Sequence, residues 1–140
     1  MESKKSQHKK TGFINGCFDI LHIGHKRLFQ FAKEQCDELI VAIDSDTRVA
    51  ELKGTSRPYN SENIRKEMLE SLVFVDTVLI FSSEKELINL IKNLSPDIMV
   101  IGSDYKNKEV IGRQYAKQLI FFERVGDHST SKIIENIGCG

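Results

Sequence analysis

Cysteine is scarce in this chain, and neither sign of charge is in surplus. The three cysteines, Cys17, Cys36 and Cys139, are odd in number and not paired at metal-site spacings. That argues against a disulfide framework and reads as a reducing, cytoplasmic setting. Twenty Lys and Arg balance twenty Asp and Glu, so bulk attraction to nucleic acid or to an anionic membrane is not indicated. Any anion must then be bound by local arrangement. No apolar run is long enough to span a bilayer. The start, MESKKSQHKK, is basic and polar with no apolar stretch behind it, so it reads as neither a signal peptide nor a membrane anchor. Residues 1–10 are expected to form a disordered basic tail, and residues 11–140 a single domain. There is no internal repeat, low-complexity tract or linker.

What is present is an ordinary globular balance. Hydrophobic residues make up 40% and charged residues 29% of 140 positions, which suits one core. Strand-like runs alternate with helix-like segments throughout. The strands expected are Gly12–Asn15, Glu38–Ile43, Thr77–Phe81, Ile98–Ile101 and Leu119–Glu123. The helices expected are Ile23–Cys36, Asp46–Leu52, Ser61–Leu72, Glu84–Asn93, Lys108–Lys117 and Thr130–Ile137. Continuous runs such as LIVAI and IMVI read as strands buried on both faces, hence a parallel sheet. The alternation predicts an α/β domain: a Rossmann-like, doubly wound parallel sheet of about five strands with helices on both faces. The stretch KGTSRPYN, residues 53–60, is the best candidate for a long loop. In such folds ligands bind outside the carboxyl ends of the strands. Residues 15–24, 44–46, 102–105 and 124–131 should therefore share one rim.

The most informative stretch is NGCFDILHIGH, residues 15–25. It sets His22 and His25 one helical turn apart, beside Gly24, where a strand gives way to a helix. Three readings are open. A metal site would need third and fourth ligands, and no HExxH-like pattern supplies them. The pair could instead be a capping and a surface histidine. Or it could bind phosphate. A helix N-terminus presents unpaired N–H groups and partial positive charge, Gly24 lets an anion approach the backbone, and two imidazoles could donate where charge builds up. Neither GxGxxG nor GxxxxGK[ST] is present, so this is not a dinucleotide fingerprint or a P-loop.

With its neighbours, the stretch resembles the signature of the HxGH nucleotidylyltransferases, the cytidylyltransferase-like family. ELIVAIDSD, LKGTSRPYN, IRKEMLESLVFVDTVLIF, PDIMVIGSDY and STSKIIENI follow in the family's order and spacing, so the likeness covers roughly residues 11 to 137. It is most similar to members that make ADP-heptose from heptose 1-phosphate, and next to glycerol-3-phosphate cytidylyltransferases. The resemblance implies transfer of a nucleoside monophosphate from a nucleoside triphosphate, ATP favoured, to a phosphorylated sugar or polyol, with pyrophosphate leaving. It implies Mg²⁺ carried with the triphosphate, no nucleic acid or membrane partner, and a homodimer.

By the same resemblance His22, His25 and Lys53 carry the reaction. Cys17, Phe18, Gly24, Arg65, Gly102, Asp104, Arg124, Ser129, Thr130 and Ser131 bind the nucleotide, and Lys53 and Arg57 meet the acceptor. Plainer readings accompany several of these. Lys53 could be a solvated loop lysine, Arg65 a structural ion-pair former, and Ser129–Ser131 caps of the last helix. Asp19, acidic beside a polyphosphate, is expected to be structural or metal-linked. The run VIGSDY departs from the KGGDY-like run usual in the heptose enzymes. CTP-dependent transfer to a polyol phosphate and a non-catalytic nucleotide-binding domain are the alternatives. The presence of His22, His25, Lys53 and Thr130 together argues against the latter.

Overall fold

The computed structural model describes residues 9–102, 110–125 and 128–136, with 123–125 and 128–136 described by backbone alone. Six strands form one sheet: β1 (Thr11–Gly16), β2 (Glu38–Asp44), β3 (Thr77–Phe81), β4 (Ile98–Gly102), β5 (Gln118–Val125) and β6 (His128–Asn136). The helices are α1 (Ile23–Glu34), α2 (Asp46–Lys53), α3 (Glu62–Glu70) and α4 (Glu84–Leu94). The strand order is β3-β2-β1-β4-β5-β6. The first five strands pair in parallel, and β6 runs antiparallel to β5. The expected doubly wound α/β sheet is therefore present. Its order reverses between β1 and β4, the crevice where such sheets bind ligands. No helix among the described residues is long and apolar enough to cross a membrane.

The continuous apolar runs arise because both faces of the strands are covered. Ile14, Leu39, Val41 and Ile43 pack with Leu28 and Phe29 of α1 and Leu69 of α3. Their chain neighbours Phe13, Ile40 and Ala42 point the other way, onto Leu87 and Ile91 of α4. Alternation is thus apolar on apolar, and a one-residue slip would not expose a polar face. Registration comes from polar fastenings at the amino ends of the strands. Lys10 N–H donates to Asp37 Oδ2 at 2.8 Å. Thr11 N–H donates to Asp97 Oδ2 at 2.8 Å, and Lys117 Nζ lies 3.1 Å from Asp97 Oδ1. Leu39 N–H and Lys33 Nζ both donate to Asp76 Oδ2, at 2.8 and 2.6 Å. Burial pushes the Asp76 carboxyl up, but the bonds from Lys33 and Leu39, with the charges of Lys33 and Lys9, outweigh it and hold it below its ordinary value.

Serine opens three helices. The side chains of Ser45, Ser61 and Ser83 accept from the N–H groups of Arg48, Ile64 and Glu86, so each satisfies a donor the helix itself leaves unpaired.

Two expected helices are not found. The segment expected as Lys108–Lys117 has, in its described part, only a 3₁₀ turn at Arg113–Tyr115. Gly112 is the cause. It has φ +80°, and a Cβ there would come within 2.5 Å of Ile91 Cδ1. The left-handed backbone lets the chain press onto α4 and ends helical geometry. The segment expected as a helix over Thr130–Ile137 is strand β6 to Asn136. Thr130, Ile133 and Ile134 are β-branched and favour a pleated surface. Val125 faces His128 across the register, and β6 runs back along β5 from that pair. Pairing with an otherwise open strand outweighs the Ser-Thr start signal.

Candidate active site

The first site segment leaves β1 at Gly16 and turns through Cys17–Leu21 into α1. Phe18 takes φ +50°, an unfavourable conformation for a side chain of its size. Its ring is what holds it there. It lies edge-on to His25 at 5.2 Å and to Phe29 at 5.0 Å between centroids. Gly16 makes room, since a Cβ on it would come within 3.0 Å of the Phe18 ring.

The two histidines close the helix start. His22 is the N-cap, and its Nδ1 accepts the Gly24 N–H at 3.1 Å. The Nδ1 of His25 reaches back to accept the His22 N–H at 3.2 Å. This is a capping box built from histidines rather than from Ser and Glu. The rings stack at 3.9 Å with 28° between planes. Because Nδ1 accepts in both, the proton of each neutral ring resides on Nε2, which makes that nitrogen a donor. The capping reading is therefore present, and it is compatible with the phosphate reading because capping uses only Nδ1.

A cavity of about 340 Å³ opens at the switch point, within the size range of small-molecule sites. Ile14, Asn15 and Gly16 form its β1 wall, Val100, Ile101 and Gly102 its β4 wall. Cys17, Phe18, His25 and Lys53 border it, and Val110 and Ile111 close it from the segment before β5. Of the residues singled out in the sequence, Cys17, Phe18, His25, Lys53 and Gly102 thus meet around one space. Lys53 is not in a loop; it ends α2, and Gly54 follows at φ +109°. Burial pushes the Cys17 thiol up, and the opposing pull of Lys53 and Arg65 does not reverse this. A thiol so held is a small filler rather than a nucleophile.

Other residues stand outside the cavity wall. Arg65 is 1% exposed. Its Nε donates to Asn60 O at 3.0 Å, and its Nη1 donates to Cys17 O at 3.0 Å and Asp44 O at 2.8 Å. Its Nη2 pairs with Asp46 Oδ1 at 2.8 Å. It joins three segments: the turn at Cys17, residues 44–46 and the loop end at Asn60. Asp19 accepts the Tyr59 and Asn60 N–H groups at 2.7 and 2.8 Å. Arg57 lies over the Tyr59 ring at 4.7 Å. Arg124 is on β5, and Ser129, Thr130 and Ser131 are on β6, facing Arg124, Glu123 and Phe122 in the register. These three do not cap a helix, and their side chains lie outside the described residues, as does Asp104 altogether. Among the described residues no group of three or more His, Cys, Asp or Glu side chains converges to hold a metal. The donors facing the cavity suit phosphate oxygens, not Mg²⁺, whose preferred ligands are oxygens.

Sequence reasoning placed Asn15 and Gly16 on the rim without giving them a role, and missed Val110 and Ile111 in the wall. The first two lie at the carboxyl end of β1 and follow from the strand-end rule. The other two carried no signal, because they were expected inside a helix. Asn60 was missed as the partner of both Asp19 and Arg65.

Residues 13–136 match the family model described as Cytidylyltransferase-like. Bifunctional protein HldE of Helicobacter hepaticus is 45% identical over 134 residues, 96% of this chain. That of Campylobacter fetus is 47% identical over 129 residues, 92% of this chain. The chain spans 28% of the length of each. A lipopolysaccharide core biosynthesis protein from Thermoplasma volcanium has a similar structure, with TM-score 0.61 and 27% identity over 74% of this chain and 80% of its own. Pantothenate synthetase from Thermus thermophilus shares the fold at TM-score 0.58 and 13% identity, over 85% of this chain and 57% of its own.

Proposed function

The chain belongs to the cytidylyltransferase-like family, and from that we propose that it is a nucleotidyltransferase. It moves a nucleoside monophosphate, from ATP in preference to CTP, onto a sugar phosphate such as heptose 1-phosphate. An oxygen of the acceptor phosphate attacks the α-phosphorus. The bond from the α-phosphorus to the oxygen bridging to the β-phosphorus breaks, and pyrophosphate leaves with the electron pair. No covalent intermediate on the protein is needed, so the protein acts by positioning and by neutralising charge.

The observation that carries this reading is the histidine capping box, whose His25 borders the cavity. Each Nδ1 is occupied by a backbone N–H, so each Nε2–H is the ring's donor toward a phosphate. Those donors are fixed before the substrate arrives, which is what transition-state stabilisation requires. The N-terminus of α1 adds its partial positive charge. Lys53, which also borders the cavity, brings a point charge on a flexible stem. The base and ribose occupy the cavity between β1 and β4. Mg²⁺ enters with the triphosphate and supplies further charge neutralisation.

The heptose reading rests on the motif resemblance to the members that form ADP-heptose; this chain matches a little over a quarter of the HldE relatives' length. The protein is also proposed to act as a homodimer. Ile64 and Met68 on α3 and Val73 beyond it are exposed at 50%, 51% and 82%, an apolar strip for such a contact; light scattering on the purified protein tests it. The activity is tested by pyrophosphate release with Mg²⁺, each nucleoside triphosphate in turn, and heptose 1-phosphate or glycerol 3-phosphate. Release with ATP and the heptose is the expected result. Release with CTP and glycerol 3-phosphate alone would move the chain to the polyol branch, and silence with every pair would refute the reading.

A further inference from the structure

Asp19 presents a problem for a triphosphate site. It is an acidic side chain in the turn that the phosphates would approach, three residues before His22. The geometry resolves it. One carboxylate oxygen accepts the Tyr59 N–H at 2.7 Å and the other the Asn60 N–H at 2.8 Å. The Asn60 side-chain amide donates back to Asp19 O at 2.7 Å. Asn60 O accepts from Arg65 Nε at 3.0 Å, and Arg65 Nη1 donates to Cys17 O at 3.0 Å. The chain from Cys17 to Asp19 therefore closes a ring with Asn60 and Arg65. Two of its members are charged, and charge-assisted bonds are the stronger kind.

The ring joins two segments that are 41 positions apart in sequence. One is the turn that aims His22 and His25. The other is the 54–60 loop, which follows Lys53 and carries Arg57 over Tyr59. Within that loop, Gly54–Ser56 are exposed; Gly54 O accepts from Arg57 N–H at 3.1 Å, and the Asp19 pair fastens its end. We infer that Asp19 is a positioning residue: its carboxylate locks the 54–60 loop to the histidine turn, so that the groups meeting the acceptor phosphate stay in register with those holding the α-phosphate. The inference rests on the proposed nucleotidyl transfer and names the part of the site that sets acceptor affinity. Asp19 does not touch the phosphates; its charge is turned onto two amide N–H groups.

The test has two arms, each on the full chain. In the first, amide hydrogen exchange is followed at Tyr59 and Asn60 without substrate. In Asp19→Asn one oxygen is replaced by a second donor, so these amides should exchange about 10-fold faster or more, while β1 and β2 amides stay protected. Unchanged exchange would overturn the lock whatever the enzyme's substrate is. In the second arm, pyrophosphate release is measured while each substrate is varied. Asp19→Asn should raise the acceptor KM by about 10-fold and leave the ATP KM within about twofold. Asp19→Glu, which keeps two acceptor oxygens, should recover part of the acceptor affinity. Equal loss on both substrates, or no loss, would overturn the positioning role. A wild type silent with every pair would instead refute the functional reading, and the exchange arm would still decide the lock.

Discussion

Arg65→Met is the sharpest test of how the rim is held. The methionine matches much of the arginine's length and leaves the core filled, so the loss is polar. Arg65 is 1% exposed, and three backbone carbonyls, of Asn60, Cys17 and Asp44, accept from it. A hydrogen bond to a charged group contributes about 1.5–3 kcal/mol, and leaving a buried acceptor unsatisfied costs about 1–3 kcal/mol. These are not additive, because the carbonyls share one donor group and the loops can shift toward water. The pair with Asp46 adds little to the loss, since that carboxylate is 43% exposed and becomes hydrated. With three buried carbonyls losing their donor at about 1–3 kcal/mol each, partly offset by water, the expected destabilisation is about 3–5 kcal/mol. For a domain of this size it corresponds to a fall in Tm of about 10–20 °C. Thermal melts by circular dichroism and urea titrations would measure it. Arg65→Lys should fall between, because it keeps the charge but loses the fork that reaches three carbonyls at once. A change below about 1 kcal/mol in Arg65→Met would refute the reasoning, since it would mean the carbonyls find other partners at no cost.

Three further outcomes are expected. His22→Ala should cost about 0.5–2 kcal/mol as a lost cap and at least about 100-fold in pyrophosphate release. His22→Asn should regain stability, because its oxygen can accept the Gly24 N–H, yet stay inactive for want of the Nε2 donor; recovery of both would refute the division of roles between the two nitrogens. Gly112→Ala should destabilise by about 2–4 kcal/mol, combining a left-handed backbone with overlap on Ile91. Adding Ile91→Val should relieve only the second part in urea titrations. The Asp76 carboxyl is held below its ordinary 3.8, so its stabilising contribution is present above that pH and is lost as pH falls through the lower folded value. Urea midpoints measured downward from pH 5 should therefore fall more steeply for the wild type than for Asp76→Asn, and parallel curves would refute the assignment.

The parallel sheet was legible because its strands announce burial on both faces. LIVAI in β2 has no polar position to betray a solvent side, and only a sheet covered twice explains that. The histidine turn was legible for a related reason: motif, strand end and helix start coincide. The misses have separate causes. The Ser-Thr-Ser start before Ile133 is a fair helix signal locally, and it fails because β5 offers a longer pairing than a helix could. Gly112 looks like a tolerated helical glycine until Ile91 is seen pressed against it. Arg65 illustrates the limit best. Its spacing places it near the site, but nothing local shows that its guanidinium points inward to carbonyls from three other segments. That depends on contacts 21 and 48 residues away. Val110 and Ile111 were illegible because their place in the cavity wall depends on the turn at Gly112.

The fastenings at the amino ends of the strands give the molecule a form of electrostatic insulation. Lys10, Asp37, Asp76, Asp97 and Lys117 cluster where the strands begin, and the histidines stand where β1 ends. Six residues of β1 lie between, a rise of about 17 Å. Through solvent, that is roughly twice the distance over which charge is felt at physiological salt. Exposed charge at the starting end, apart from these fastenings, can be rewritten for solubility, attachment or heat resistance with little effect on the field in which a triphosphate would react.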